Sequence, residues 1–383
     1  MTKKNRLIFV GAFDLDGDLA SHASSAAGNQ VQIEICENLK EEAEHHEMIF
    51  NALVFKPLKR WPYGPIYWSM ICKGATIYFG YLNFPIIKQL IFSVKLFKFL
   101  LTLRPILVVK YNINFCEIAS LFAYKKIRPA AYVVAIIQDI NTESGRWFAF
   151  WRNKLVMRLA NSLDLVIPVS SKIVEDFGFD KGRAMIFRGG LTRQSRALLA
   201  AHDNNVKPFA VFAGALEPYN GIDLLVEHWC LLQYPVDLHI FGKGSCVPKI
   251  KKFATHNPRI IFHGFLEEAE VTKWQSIAAI NFCLRFSKNI EAGYFFPSKL
   301  FNIMCAPGNV FINKFDGLPS DILHGCVSID DDLSNLGDAM QCALQAPDFE
   351  KKRSVRLQWI SENANWAVIT REIVTRAFYA TPQ

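Results

Sequence analysis

The sequence predicts an α/β protein built on two doubly wound parallel sheets, and three observations lead there. Apolar runs of strand length alternate with segments of helical period along nearly the whole chain. Most strand runs are apolar throughout, as in strands covered on both faces. The alternation breaks at a polar stretch, Ala201 to Lys207, and then restarts. At 383 residues the chain exceeds one ordinary core. The expected domains are residues 1–195 and 205–348, with helical segments over 349–383 whose Trp359, Trp366, Ile369 and Phe378 need a surface to cover.

Leu7 to Gly11 is the first strand, and a helix from about Ser21 to Glu44 follows. Small residues crowd its start, for close approach by a ligand or tight packing on the strand. Asp14, Asp16 and Asp18 alternate like a calcium loop. Leu19 and Ser25 stand where that loop needs Gly and Glu, so a solvated loop is expected. Met48 to Phe55 is the second strand. Lys59 to Tyr81 shows no period and is expected to be a loop-and-short-helix insertion. Pro85 to Leu103 is a basic amphipathic helix that suits its own sheet or a membrane surface.

Strands are then expected over Pro105 to Lys110, Ala131 to Gln138, Asp164 to Val169 and Ala184 to Phe187. Ser170 is placed to cap the helix after the third of these. Polar residues just past such strand ends line the ligand crevice. Asp139 is therefore the acid–base or acceptor-binding candidate of this half, with helix capping as its competing role.

The second half restarts with a strand at Phe209 to Ala213. Gly214 and Gly242-Lys243-Gly244 sit just past strand ends, where glycine lets backbone approach phosphate or ribose. The strand over Ile280 to Leu284 leads to Phe295-Phe296-Pro297-Ser298-Lys299-Leu300-Phe301-Asn302-Ile303-Met304. Pro297 restricts Phe296 to extended backbone, Ser298 can cap the helix that follows, and Lys299 adds charge to its first N–H groups. That is an anion site, or else an ordinary helix cap.

The formal charge of +8 suits an anionic partner, a nucleoside diphosphate or an acidic bilayer among them. Basic residues are dispersed and no nucleic-acid module is present, so nucleic acid is not expected. The nine cysteines lack any C-x-x-C pair and read as reduced thiols, with neither a zinc site nor a disulfide framework. Neither a signal peptide nor a membrane-spanning helix is predicted.

Several segments together resemble the GT-B glycosyltransferases, glycosyltransferase family 4 above all. They are FAGALEPYNGIDLLVEHW, LHIFGKGS, RIIFHGFL and FPSKLFNIMCAPGNVFIN, with GNQVQIEICENL and MIFRGGL in the first half. The resemblance implies a nucleotide-sugar domain in the second half, an acceptor domain in the first, and final helices that cross back to the first domain. It places the nucleobase near Phe265 and Leu266. It implies diphosphate neutralisation by Arg285, Lys299 and the helix N-terminus, with Lys243 as an addition. The family's ribose-binding Glu is replaced by Asn302, and its Arg/Lys pair by Ala215 and Asn220; Lys288 is a further basic residue nearby.

The expected activity is transfer of a sugar from a nucleotide diphosphate sugar to a glycan or lipid-linked glycan hydroxyl. Retention of configuration and the absence of any metal or cofactor are implied with it. The expected location is cytoplasmic, either free or peripheral at the inner face of the plasma membrane. The competing reading is a non-catalytic GT-B subunit that binds a partner transferase or a glycan.

Overall fold

The computed structural model describes residues 4–15, 26–56, 58–59, 65–84, 86–138, 140, 147–200, 205–232, 236–286, 292–315, 317–345 and 348–380. In chain order its first strands are β1 (Arg6–Gly11), β2 (Ile49–Val54), β3 (Tyr67–Trp68), β4 (Ile71–Lys73), β5 (Thr76–Tyr78), β6 (Tyr81–Leu82), β7 (Leu107–Tyr111), β8 (Tyr132–Ile137) and β9 (Leu165–Pro168). Among them lie α1 (Ala26–His45), α2 (Ile87–Leu103), α3 (Phe115–Ile127), α4 (Trp147–Ala160) and α5 (Ser171–Phe177). After α6 (Arg193–Ala200) come β10 (Lys207–Ala215), α7 (Ile222–Leu232), β11 (Asp237–Lys243), α8 (Val247–His256), β12 (Ile260–Gly264), α9 (Glu268–Ile277) and β13 (Ala278–Cys283). The chain continues through α10 (Lys299–Cys305), β14 (Asn309–Asn313), β15 (Val327–Ile329), α11 (Leu336–Gln345), α12 (Phe349–Asn363) and α13 (Trp366–Ala380).

Contacts divide the chain into two units, Met1–Arg188 with Trp366–Gln383, and Gly189–Asn365. The sequence-based boundary at 195–205 therefore falls too late, because α6 packs on α9 and α10 of the second unit. In the first unit the sheet order is β4-β5-β2-β1-β7-β8-β9, parallel except where β4 turns back on β5. Where a loop-and-short-helix insertion is expected, the described residues form four short strands, β3 to β6, and no helix. Thr76, Ile77 and Tyr78 pair with Ala52, Leu53 and Val54, so a β-rich tripeptide finds the open edge of β2. Ala184 to Phe187 forms one bridge, to Val166, rather than a strand. Ser170 caps α5 as expected, accepting from Ile173 N–H at 3.4 Å.

The loop after β1 is tied down by two side-chain amides of α1. Gln32 bonds both backbone groups of Ala12, and Asn29 both backbone groups of Asp14. Asp14 is buried and lies 3.1 Å from Lys56 Nζ. It is therefore not the solvated residue the sequence suggests, while Asp16 and Asp18 lie outside the described residues.

The sheet of the second unit is wholly parallel in the order β12-β11-β10-β13-β14-β15. Only α13 joins the first unit, through Trp366, Ile369, Ile373 and Val374 against Leu7, Phe9, Ile35 and Leu39. α12 does not cross back as expected. Its Trp359 and Ile360 pack with Leu300, Ile303 and Met304 of α10. Its buried Arg356 guanidinium donates to the carbonyls of Met304, Ala306, Gly308 and Gly325, at 2.7–3.0 Å. A helix that closes the open carbonyl end of another stays with it.

Candidate functional site

The glycine turns meet at the carboxyl ends of β10 and β11. Gly214 pairs in register with Gly242, and both have positive φ, 136° and 139°. A Cβ on Gly242 would stand 1.9 Å from Gly214 O, so no other residue fits there without moving backbone. The following turn is pinned from outside. Leu216 N–H donates to Lys243 O at 2.9 Å, and the Glu217 carboxylate accepts from Ser245 N–H at 2.9 Å and from the Ser245 hydroxyl.

Lys299 lies over this turn. Its ammonium is 3.3 Å from Ala213 O and 4.5 Å from the centre of the Phe212 ring, and a Cβ added to Gly214 would stand 3.5 Å from it. Burial holds its pKa below the usual lysine range, with Cys283 opposing and the Arg285 charge adding to the shift. Arg285 arrives from the end of β13. Its backbone N–H donates to Asn313 Oδ1 at 2.7 Å, and Asn313 Nδ2 donates back to Arg285 O at 2.6 Å. Its guanidinium donates to Asn220 Oδ1 at 3.2 Å, and Asn220 Nδ2 reaches Ala215 O at 2.8 Å. One buried asparagine thus links Arg285 to the first glycine turn. The strand ends bring Gly214, Gly242, Lys243, Gly244, Arg285 and Lys299 into one cluster.

α10 opens differently from expectation. Ser298 already has helical backbone and makes no side-chain cap. Leu300 N–H donates to Pro297 O at 2.9 Å and Phe301 N–H to Ser298 O at 3.3 Å, so the first turn is tighter than an α-turn. Those two N–H groups are used locally, and the positive charge here is carried chiefly by Lys299 and Arg285.

Asn302 sits one turn further on. Its Nδ2 donates to Glu268 Oε1 of α9 at 3.4 Å, and the buried Ser195 of α6 donates to the same oxygen at 3.1 Å. Phe265, just past β12, is 59% exposed, and Lys243 Nζ stands 5.0 Å from its ring centre. Leu266 instead packs beside Val211, Ala213 and Phe241. Nearby, His239 Nδ1 and His263 Nε2 share a hydrogen bond at 2.8 Å between Phe241 and Trp274. Burial lowers the pKa of both histidines.

Asp139 and Lys288 lie outside the described residues. Sequence reasoning missed Glu268, Asn313 and the bridging role of Asn220. Asn313 ends a strand, which is a signal; Glu268 has none, because its partners are remote in sequence. Among the described residues no group of three His, Cys, Asp or Glu is placed to hold a metal.

No protein-family model matches the chain, and no curated protein matches it. Among solved structures it is similar to α,α-trehalose-6-phosphate synthase from Burkholderia multivorans (11% identity, TM-score 0.66, 100% of this chain and 99% of that one). It is also similar to sucrose-phosphate synthase from Thermosynechococcus elongatus (13%, 0.68, 99% and 100%). A third likeness is to HepE from Anabaena in complex with UDP (14%, 0.61, 98% and 100%). At such identities the likeness is one of fold. The chain has the GT-B architecture of two Rossmann-like domains.

Proposed function

We propose that this chain is a glycosyltransferase that moves a sugar from a nucleoside diphosphate sugar to a hydroxyl of a glycan or lipid-linked glycan. The observation that carries the reading is the convergence of Lys299 and Arg285 on the paired glycine turns. Two cations beside close-approaching backbone suit a diphosphate. As the glycosidic bond breaks, the leaving diphosphate gains charge, and fixed cations stabilise that charge without reorganising. Arg285, held through Asn220, takes the place of the basic pair missing at Ala215 and Asn220, which weighs against a non-catalytic subunit. Phe265 offers its exposed face to the base, and Gly242, Lys243 and Gly244 their backbone to the sugar and phosphates. Asp139, just past β8, is assigned to the acceptor hydroxyl.

The resemblance adds retention of configuration, checked by NMR of the product anomer. The name of the HepE structure makes UDP the first nucleotide to test.

The acceptor side is assigned to an anionic membrane surface. α2 buries Phe92, Leu96 and Leu100 yet leaves Ile87, Leu90 and Val94 exposed along its opposite stripe. Tyr67, Met70, Ile71, Leu82 and Phe84 add further exposed apolar surface, and Lys73 and Lys98 are exposed nearby. Apolar side chains with flanking lysines suit the interface of an acidic bilayer. No helix among the described residues is long and apolar enough to cross a membrane. The proposed location is peripheral, at the inner face of the plasma membrane.

Thermal shift against a panel of nucleoside diphosphates tests the core of the reading. A ligand at 100 times its Kd adds about 2.7 kcal/mol to stability. No shift with any of them at millimolar concentration would favour the non-catalytic subunit.

A further inference from the structure

We infer that Glu268, reaching across from α9, supplies the carboxylate that Asn302 cannot, and that the two side chains together hold the vicinal diol of the donor's ribose. The inference rests on the reading of the chain as a nucleoside diphosphate sugar transferase.

Both hydrogen bonds to the Glu268 carboxylate fall on Oε1, one from Asn302 Nδ2 and one from the Ser195 hydroxyl. Oε2 of Glu268 and Oδ1 of Asn302 have no hydrogen-bond partner among the described residues, and both side chains are only half-buried. Glu268 has no ion pair among the described residues either, so its charge is not spent on a neighbour. A primary amide within hydrogen-bond reach of a carboxylate thus leaves one acceptor oxygen on each of two neighbouring side chains, one of them charged. Two such acceptors suit the two hydroxyl donors of a diol. Ser195 is buried, and its own N–H and hydroxyl are tied to Thr192, so it holds the carboxylate in place from behind.

The position within the sheet agrees. Asn302 lies one helical turn beyond Lys299, and α9 begins just past Phe265 and Leu266. The pair therefore belongs to the same end of the sheet as the proposed phosphate cations and base platform, all within one unit. A carboxylate at 302 itself would sit against Glu268, and two like charges at that separation repel. Asn at 302 and Glu at 268 are, on this view, two halves of one exchange.

Titration calorimetry with UDP and its 2′,3′-dideoxy analogue tests this on the full chain. The parent should bind UDP at least about tenfold tighter than the analogue, one charge-assisted hydrogen bond's worth. Glu268→Gln should lose most of that preference and leave the analogue's affinity unchanged. Asn302→Glu alone should also bind UDP more weakly than the parent, and Glu268→Gln/Asn302→Glu should recover a large part of the loss. A merely structural role for Glu268 would lower both affinities together and would not be rescued by the exchange. Glu268→Gln melts within a few degrees of the parent if the variant is folded. If it is not, Asn302→Glu and the exchange variant carry the test.

A parent that discriminates UDP from its analogue while Glu268→Gln discriminates equally well overturns the inference and leaves the proposed function standing. A parent that binds UDP and analogue alike does the same. A parent that binds no nucleoside diphosphate overturns both.

Discussion

Replacing Lys299 by Ala should separate stability from ligand binding in opposite directions. The ammonium sits over the Phe212 ring with its pKa depressed, chiefly by burial and further by Arg285. In the empty protein the charge is therefore held at a cost, and its removal should leave the melting temperature unchanged or higher. With a diphosphate present the same charge makes one or more charge-assisted contacts. Their loss should weaken binding by ~1.5–3 kcal/mol, about 10- to 150-fold in Kd. The pH dependence follows from the same shift. Between its lowered value and the ordinary 10.5, the unfolded chain holds a proton at Lys299 that the folded chain has lost. Stability therefore rises with pH across that window. A bound diphosphate favours the ammonium, so affinity should fall with rising pH over the same window, and Lys299→Ala should flatten both slopes. Titration calorimetry with a nucleoside diphosphate and with the free nucleoside, at neutral and alkaline pH, measures all of this. Equal loss for both ligands, or no loss for the diphosphate, would refute the assignment.

Arg285→Gln should weaken diphosphate binding by a comparable ~1.5–3 kcal/mol, and Asn220→Ala by less, since it frees the guanidinium without removing it. A titration in which Asn220→Ala costs more than Arg285→Gln would place the contact on Asn220 instead. Arg356→Met should destabilise the protein by at least ~3 kcal/mol in urea unfolding, because it strips the donors from four carbonyls around α10. A midpoint within error of the parent would contradict that role. Leu90→Glu/Val94→Glu should abolish co-sedimentation with anionic vesicles while leaving nucleotide binding intact, because both residues are exposed on α2. Unaltered vesicle binding would move the membrane contact elsewhere. His239 and His263 have lowered pKa values, burial being the main cause and Asp237 partly opposing it at His239. Their contribution is thus complete above the ordinary 6.5 and is lost as pH falls from there through the lowered values. His263→Phe should make the acid limb of a stability profile shallower, and an unchanged limb would exclude the pair as its source.

The sequence by itself determined the two parallel sheets and most strand positions, because apolar runs and their spacing are local signals. The strand expected at Phe209 to Ala213 lies within β10 (Lys207–Ala215), and Gly214 and Gly242 lie at strand ends as their positions in the chain require. It also marked Lys299 at the start of a helix, and the family resemblance marked Arg285. What it could not show depends on partners distant in the chain. The strands at 67–82 were hidden because Thr76–Tyr78 becomes a strand only when the edge of β2 is there to accept it. α12 and α13 both read as helices with large apolar residues to cover, and the carbonyls at and just past the end of α10, 48 to 52 residues before Arg356, hold the first of them on the second unit. Ser298 has the residue type of a cap, but the tight turn at Pro297 had already made it helical. Glu268 and Asn302 are 34 residues apart, and Glu268 and Ser195 are 73 apart. Tertiary packing alone brings them together, since a hydrogen bond depends on distance in space and leaves no periodicity in the chain.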